Sequence, residues 1–265
     1  MLLDVTGAPL AVIVFDPAAT TEHRGDALLV HGFTGSKDDF APLGPLLAQR
    51  GYRVVTFDNR GQHESSHSAD EAAYRVPALA ADTAALADAL GIERPHLLGH
   101  SFGGLIAQRA VVDDPGRWAS LTLLCSGPGA NPRRGNYEAI IAEVGSKTMA
   151  ESWIGDREAW ARGEADPEML KRRWLATDPR SLEVHARELM TAPSLVAEAA
   201  ATGIPAHVAF GVTDDAWPQE LQREMAADLD ARLTVIPDAG HCPNTENPAL
   251  TADVLADFWD SVSPR

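Results

Sequence analysis

Hydrophobic residues along this chain fall into short continuous runs that alternate with longer stretches of helical spacing. The continuous runs predict strands at Ala27–Val30, Tyr52–Phe57, His96–Leu98, Leu121–Cys125, Ala206–Phe210 and Leu233–Ile236, after two short strands within Met1–Pro17. Helical spacing predicts helices over Phe40–Gln49, Val76–Leu90, Leu105–Val112, Gln219–Leu229 and Ala249–Val262. This alternation predicts an α/β fold in which a mostly parallel sheet of about eight strands is flanked by helices.

The pattern changes between about Gly127 and Gly203. This stretch lacks β-branched runs and is rich in Glu, Ala, Arg and Trp, including Trp153, Trp160 and Trp174. We expect several short helices that interrupt the order of the strands. The sequence therefore predicts one α/β core made of residues 1–127 and 204–265, with a helical insertion at residues 128–203.

Composition narrows the class of protein. The chain has 22 Lys and Arg against 38 Asp and Glu, a net charge of −16, so nucleic acids and anionic membranes would be repelled.

The N-terminus lacks the basic region of a signal peptide, and no apolar run is long enough to span a bilayer. Two cysteines do not make a disulfide framework. We expect a cytoplasmic enzyme or binding protein with a small-molecule ligand. Its oligomeric state is left open.

The sharpest chemical signal is the segment Gly99-His100-Ser101-Phe102-Gly103, which lies between a predicted strand and a predicted helix. A serine on so tight a turn takes strained backbone angles, and small residues two positions away on either side prevent clashes. The turn would present the Ser101 hydroxyl at the carboxyl end of the sheet, beside the N-terminus of the next helix. Ser101 is therefore the candidate nucleophile.

A serine hydroxyl needs a base that is oriented by a third group. Of the nine histidines, His241 follows the last predicted strand and so lies at the same sheet edge as Ser101. The other histidines are less suitable. His23, His67 and His185 are expected to be solvated, and His207 to be a core or edge residue of a strand. His96 lies at the wrong end of the sheet, and His100 should point away from the serine. His241 is the candidate base.

The orienting acid is sought in the loop after Ala206–Phe210, where Asp214 and Asp215 are adjacent. Either carboxylate can accept the imidazole N–H that fixes the tautomer of His241. Asp215, or both residues, can instead cap the next helix. We assign the acid to Asp214 and the start of the helix to Asp215.

These residues resemble the α/β-hydrolase family, and the resemblance covers nearly the whole chain. The order Ser101, Asp214, His241 is that family's order, and Gly211, Asp214 and Pro218 match its G-x-x-D-x-x-x-P acid loop, which favours Asp214. His31-Gly32-Phe33 matches its oxyanion loop, which implies that the backbone N–H groups of Phe33 and Phe102 hold the oxyanion. The resemblance also implies that the inserted helices form a cap over the site.

The family's D-x-R-G-x-G-x-S segment is matched at Asp58, Arg60, Gly61 and Ser65, but position 63 is His where the family usually has Gly. Either the His63 ring faces solvent beside Glu64, or it contacts a polar substrate group at the pocket mouth. Trp217 is a second candidate substrate contact, because aromatic residues near the site suggest a partly apolar pocket. His63, Glu64 and His67 suggest a metal site that nothing else supports, so no metal and no cofactor are expected.

The predicted function is a serine hydrolase that cleaves a carboxylic ester, lactone or thioester of a small molecule through an acyl-enzyme on Ser101. A carbon–carbon bond hydrolase or lyase, an acyltransferase or perhydrolase, and a non-catalytic ligand-binding protein are the alternatives. Serine at the turn argues against the haloalkane dehalogenases and epoxide hydrolases of this fold, which use aspartate there.

Overall fold

The computed structural model describes residues 1–5, 7–154 and 166–262, so Trp160 lies outside the described residues. Within these ranges one sheet contains eight strands: β1 (Leu2–Val5), β2 (Ala8–Phe15), β3 (Gly25–Val30), β4 (Tyr52–Phe57), β5 (His96–His100), β6 (Ser120–Leu124), β7 (Ala206–Gly211) and β8 (Arg232–Ile236). The helices of the same ranges are α1 (Gly44–Gln49), α2 (Val76–Ala89), α3 (Phe102–Asp113), α4 (Arg134–Ser146), α5 (Met149–Trp153), α6 (Pro167–Ala176), α7 (Pro179–Thr191), α8 (Val196–Ala201), α9 (Gln219–Asp228), α10 (Pro243–Glu246) and α11 (Pro248–Val262). No helix in this described part is both long and apolar enough for a membrane span.

The strand order confirms the predicted fold class. The strands lie in the order β1-β2-β4-β3-β5-β6-β7-β8, antiparallel between β1 and β2 and between β2 and β4, and parallel from β4 to β8. Strands β5 and β6 are buried at every position, as expected where helices cover both faces of a sheet. Because β4 to β8 are parallel, the loops that follow β5, β7 and β8 all leave the sheet at the same edge.

The predicted helix boundaries differ from the structure by more than one residue at two places. A helix was expected from Phe40, but only a short 3-10 turn covers Lys37–Phe40, and α1 begins at Gly44. Proline at positions 42 and 45 explains the delay, because proline donates no hydrogen bond and disfavours the helical region for the residue before it. Helix α3 begins at Phe102 rather than Leu105, directly after the turn at Ser101.

The elements described between β6 and β7 are all helices, α4 to α8, joined by irregular segments. These helices have a small apolar cluster of their own, made by Val144, Met149, Trp153, Trp174 and Leu182. They contact the core at the loop after β4. There Asp178 N and Ser181 Oγ donate to the carbonyl of Gly61 at 2.8 and 3.1 Å, and Tyr74 donates to the Asp178 carboxylate at 2.7 Å.

Candidate active site

The turn between β5 and α3 places Ser101 in a strained backbone conformation, with φ 53° and ψ −119°. Close packing around the turn leaves no room for side chains at its glycines. A Cβ at Gly99 would overlap the Gly103 carbonyl, and one at Gly103 would overlap the carbonyl of Val30. The expected need for small residues at positions 99 and 103 is thereby confirmed. Gly104 is a third such position, since a Cβ there would overlap Ser126 Oγ.

Three loops at the carboxyl edge of the sheet bring Ser101, His241 and Asp214 into one hydrogen-bonded row. His241 Nε2 lies 3.1 Å from Ser101 Oγ, and His241 Nδ1 lies 3.0 Å from Asp214 Oδ1. An ionised carboxylate only accepts hydrogen bonds, so Nδ1 carries the ring proton and Nε2 is left to accept the proton of Ser101. This is the tautomer that a base for the serine hydroxyl requires.

The Asp214 carboxylate is buried and well supplied with hydrogen-bond donors. Besides His241, Gln222 Nε2 donates to Oδ2 at 2.8 Å and the amide of Ala216 donates to Oδ1 at 3.0 Å. Burial on its own raises the pKa of Asp214, but the hydrogen bonds and the nearby His241 outweigh it and hold the pKa below its usual value. Asp214 is therefore ionised at neutral pH.

The neighbouring Asp215 does not have the expected place at the start of a helix. It is exposed, and α9 begins at Gln219 with Pro218 in the N-cap position and no side-chain cap. The assignment of Asp215 to helix capping is therefore wrong. It lies three positions before the cap residue Pro218, and its carboxylate lies outside the row formed by Ser101, His241 and Asp214.

His100 supports the loop that carries His241. Its Nε2–H donates to the carbonyl of His241 at 2.8 Å, and the two rings lie 5.0 Å apart. Burial lowers the pKa of His100 to about 4, so the ring stays neutral at pH 7. The side chain thus holds the backbone of His241 without adding a charge beside it.

The turn that begins at Gly32 lies against the candidate nucleophile. A Cβ at Gly32 would stand 3.0 Å from Ser101 Cβ. His31 holds this turn, because its Nε2 accepts from the Asn59 amide at 3.0 Å and its Nδ1 donates to the Gly32 carbonyl at 2.8 Å. That carbonyl belongs to the same peptide unit as the N–H of Phe33. Burial lowers the pKa of His31, which matches a neutral ring with one donor and one acceptor.

The second predicted oxyanion donor is the amide of Phe102, the first residue of α3. The first amides of a helix have no partner within the helix and point outward from its N-terminus, where negative charge is favoured. The structure thus brings both predicted amides, those of Phe33 and Phe102, to the surroundings of Ser101. Their role in holding an oxyanion stays a prediction.

The side chains of these two residues meet the inserted helices. Phe33 contacts Tyr137 of α4 edge-on at 5.9 Å and packs against the apolar cluster of the insertion. Phe102 packs against His185 of α7 at 4.7 Å. His185 was expected to be solvated, and this is wrong, because α7 turns that face toward the core and buries the ring completely.

His63 and Trp217 are the candidate substrate contacts. The His63 side chain is 10% exposed, with its Nε2 3.5 Å from the Asp38 carboxylate and its amide donating to Thr177 Oγ1 at 3.4 Å. The interpretation in which the ring faces solvent is therefore wrong. Trp217 is buried and packs across the backbone of Gly127. A substrate contact at either residue stays a prediction.

Asp58, His63 and Glu64 bring ligand atoms within 4.8 Å of one another, as a metal site would. An ammonium group already bridges two of them, since Lys37 Nζ lies 2.9 Å from Asp58 and 2.7 Å from Glu64. Burial lowers the pKa of Lys37 on its own, yet the contacts with these carboxylates outweigh it and leave the pKa raised. The cluster is therefore an ion-pair network in which Lys37 and Asp58 are buried and Glu64 is exposed.

A cavity of about 180 Å³ lies away from Ser101, between α2, α3 and the end of α7. Its walls include Leu105, Gln108, Pro193 and the ion pair of Arg75 with Glu188. Neither the row of hydrogen-bonded residues nor the turn at Gly32 lines it. The cavity is therefore separate from the candidate site.

Several supporting residues of the site were missed at the level of sequence. His31 was noted only as part of the oxyanion motif, and His100 only as a neighbour of the serine. Gln222 lies eight positions after Asp214 on another element and gave no signal. A search for polar residues near the predicted strand ends could have found His100, but not its partner.

The chain belongs to the α/β-hydrolase family, whose sequence profile matches residues 27–254. Its fold and the hydrogen-bonded row at the sheet edge define it as an enzyme of this class, in agreement with the resemblance of its motifs.

RutD of Variovorax paradoxus (strain S110), whose name assigns it provisionally as a carbamate hydrolase, is 29% identical over 96% of this chain and 97% of its own length. A hydrolase from Pseudomonas aeruginosa PA01 is 26% identical, with a TM-score of 0.80 over 97% of each chain. The enol-lactonase from Burkholderia xenovorans LB400 shares the fold, with a TM-score of 0.80 over 97% of this chain and 99% of its own, at 22% identity.

Proposed function

We propose that this protein is a serine hydrolase that cleaves a carboxylic ester, lactone or thioester of a small molecule. The observation that carries the proposal is the row in which His241 lies 3.1 Å from the hydroxyl of Ser101 and 3.0 Å from the carboxylate of Asp214. A non-catalytic binding protein has no need of a base held in this tautomer against a serine on a strained turn.

In the proposed reaction the Ser101 oxygen attacks the substrate carbonyl while His241 Nε2 takes the hydroxyl proton. The ionised Asp214 stabilises the imidazolium that forms. The amides of Phe33 and Phe102 would donate to the tetrahedral oxyanion, and loss of one such donor typically costs about 3 kcal/mol. His241 then gives its proton to the leaving group, and a water that it activates releases the acyl group from Ser101. No step of this scheme requires a cofactor.

We further propose that residues 128–203 form a cap that shapes the substrate pocket. The contacts of Tyr137 with Phe33 and of His185 with Phe102 support this, because they place inserted helices beside both predicted oxyanion donors. Insertions at the carboxyl edge of a sheet vary what an enzyme accepts, whereas the reacting groups below them set the reaction.

A fluorophosphonate probe followed by a substrate panel tests the proposal. The protein should be labelled at Ser101, and the S101A variant should not. The panel contains esters of increasing acyl length, a lactone and a thioester. It also contains a carbamate, because of the name of the full-length relative, and a diketone to detect carbon–carbon cleavage. Added alcohol or peroxide detects acyl transfer. Labelling without turnover of any acyl substrate would contradict the ester, lactone and thioester assignment, and absence of labelling would contradict the serine mechanism.

A further inference from the structure

A positively charged side chain of the inserted helices contacts the loop that follows the predicted oxyanion turn. Arg173, on α6, places Nη1 2.5 Å from Asp39 Oδ1 and 3.5 Å from Ser36 Oγ. The side chains of Arg173 and Asp39 are 12% and 24% exposed, so the pair is largely shielded from water. This ion pair joins the insertion to the core next to the candidate site.

The Asp39 carboxylate stands against the turn that carries the Phe33 amide. Its Oδ2 accepts the amide of Ser36 at 3.1 Å. A Cβ at Gly35 would lie 2.5 Å from this Oδ2 and 3.0 Å from both the Gly32 carbonyl oxygen and His31 Nδ1. The negative charge of Asp39 is therefore close to the carbonyl end of the peptide unit whose N–H end is a predicted oxyanion donor.

An uncompensated negative charge at this place would oppose the proposed reaction. It would repel the oxyanion that develops on the substrate, and it would compete with the Gly32 carbonyl for the N–H of His31. Neighbouring acids have another partner, because Lys37 bonds to Asp58 and Glu64 and lies 3.4 Å from Asp38. The cation that the structure places on Asp39 is Arg173.

We propose that Arg173 is a positioning residue, whose guanidinium neutralises Asp39 and so keeps the oxyanion turn at Gly32 and Phe33 free of a competing negative charge. This inference rests on the proposed serine hydrolase. It gives one residue of the predicted cap an influence on the chemical step through Asp39, in addition to the part proposed for the cap in substrate choice.

The test compares kcat and KM of the wild type with those of R173Q, R173K, D39N and the double variant D39N/R173Q. The substrate is the smallest ester of the panel that is turned over, and the rate of fluorophosphonate labelling is a second readout. R172Q is the matched control, since Arg172 is the exposed neighbour on the same helix. Thermal unfolding of each variant checks the fold.

R173Q should lower kcat and the labelling rate about 10-fold, the scale of an unscreened charge near a partly buried site, with little change in KM. R173K should retain most of the activity, because it keeps the charge. The double variant should recover to within about 3-fold of the wild type, since it removes the carboxylate along with its partner. R172Q should behave as the wild type.

A purely mechanical role for the ion pair predicts a different pattern. D39N would then be as slow as R173Q, and the double variant would show no recovery. That pattern, or an R173Q variant with wild-type kcat and labelling rate, would overturn the inference while the wild-type enzyme still supports the proposed function. A wild type that neither reacts with the probe nor turns over an ester would instead overturn the proposed function, and the inference with it.

Discussion

At the scale of single residues, the turn at Ser101 is held by its backbone rather than by its hydroxyl. The Ser101 amide donates to the Leu124 carbonyl at 2.9 Å. Its carbonyl accepts from the amide of Gly104 at 2.9 Å and from Ser126 Oγ at 2.7 Å. Backbone strain of this kind costs about 1–3 kcal/mol and persists only where the surroundings impose it. The side chain of Ser101 is therefore free for chemistry.

The backbone hydrogen bonds of this turn lead to a prediction for the S101A variant. Its free energy of unfolding should stay within about 1 kcal/mol of the wild type, because the turn keeps all of its backbone hydrogen bonds. Its kcat should fall by about 10⁴-fold or more, the scale seen when a nucleophile is removed from such a unit. Urea unfolding and ester hydrolysis measure the two effects. Residual activity above about a thousandth of the wild type would contradict the nucleophile assignment.

The two adjacent acids give a matched pair of variants. D214N keeps the shape of the side chain but can hold His241 in the wrong tautomer, so kcat should fall on the order of 10⁴-fold. D215N should change kcat by less than about 3-fold, because Asp215 is exposed and lies outside the hydrogen-bonded row. Steady-state kinetics on one ester decides between them. A larger effect at Asp215 would mean that the carboxylate next door orients His241.

At the scale of elements, the loop after β4 forms a contact surface for the inserted helices. Gly61 approaches Tyr74 and Ser181 so closely that a Cβ would meet both of them, and its φ of 80° also favours glycine. Arg60 pairs with Asp82 at 2.5 Å on the core side. The family's D-x-R-G segment therefore joins the core to the start of α7. This joint and the Arg173 ion pair are two of the contacts that hold the inserted helices on the core.

The contact between α4 and the oxyanion turn makes a prediction for substrate choice. In Y137A the ring that packs on Phe33 is lost, so KM and the preferred acyl length should change. The rate of labelling by a very small fluorophosphonate should change less than about 3-fold, since Tyr137 does not belong to the reacting groups. N136A on the same helix is the control, because Asn136 is exposed. An unchanged ranking of short and long esters would mean that the pocket is built elsewhere.

At the scale of the whole molecule, several buried histidines are held neutral. Burial lowers the pKa of His96 and His100 to about 4 and that of His185 and His207 to about 3. In the unfolded chain each of these groups has a pKa near 6.5. Between pH 6.5 and 4 the unfolded state therefore binds protons that the folded state does not. The stability that these groups provide is complete above pH 6.5 and is lost as the pH falls.

His207 allows a clean measurement, because it lies on β7 and bonds to Thr234 Oγ1 at 2.9 Å, away from the site. The free energy of unfolding of the wild type should fall steeply from pH 6.5 to 5. In H207Q that slope should be smaller by about 1.4 kcal/mol per pH unit, the contribution of one proton. Urea unfolding at pH 7, 6 and 5 gives the slopes. Parallel slopes for the two proteins would contradict a neutral buried His207.

The sequence by itself was sufficient to predict the fold class and the row of Ser101, Asp214 and His241. Continuous apolar runs reveal buried parallel strands, because such strands are covered on both faces. Parallel strands also place the loops that follow them at one edge. The sequence therefore predicts that the residues after β5, β7 and β8 lie close together, although Ser101 and His241 are 140 positions apart. Glycine at positions 99 and 103 followed from the same tight turn.

Only the tertiary structure decided what surrounds that row. The burial of His185 against Phe102, the bond from His100 to the carbonyl of His241 and the ion pair of Arg173 with Asp39 join distant parts of the chain. Such contacts depend on how one helix is turned and seated on another, and a polar residue in a polar stretch looks solvated whichever way its helix faces. The local sequence pattern predicts which residues belong to an element, whereas packing between elements determines which side chains contact one another.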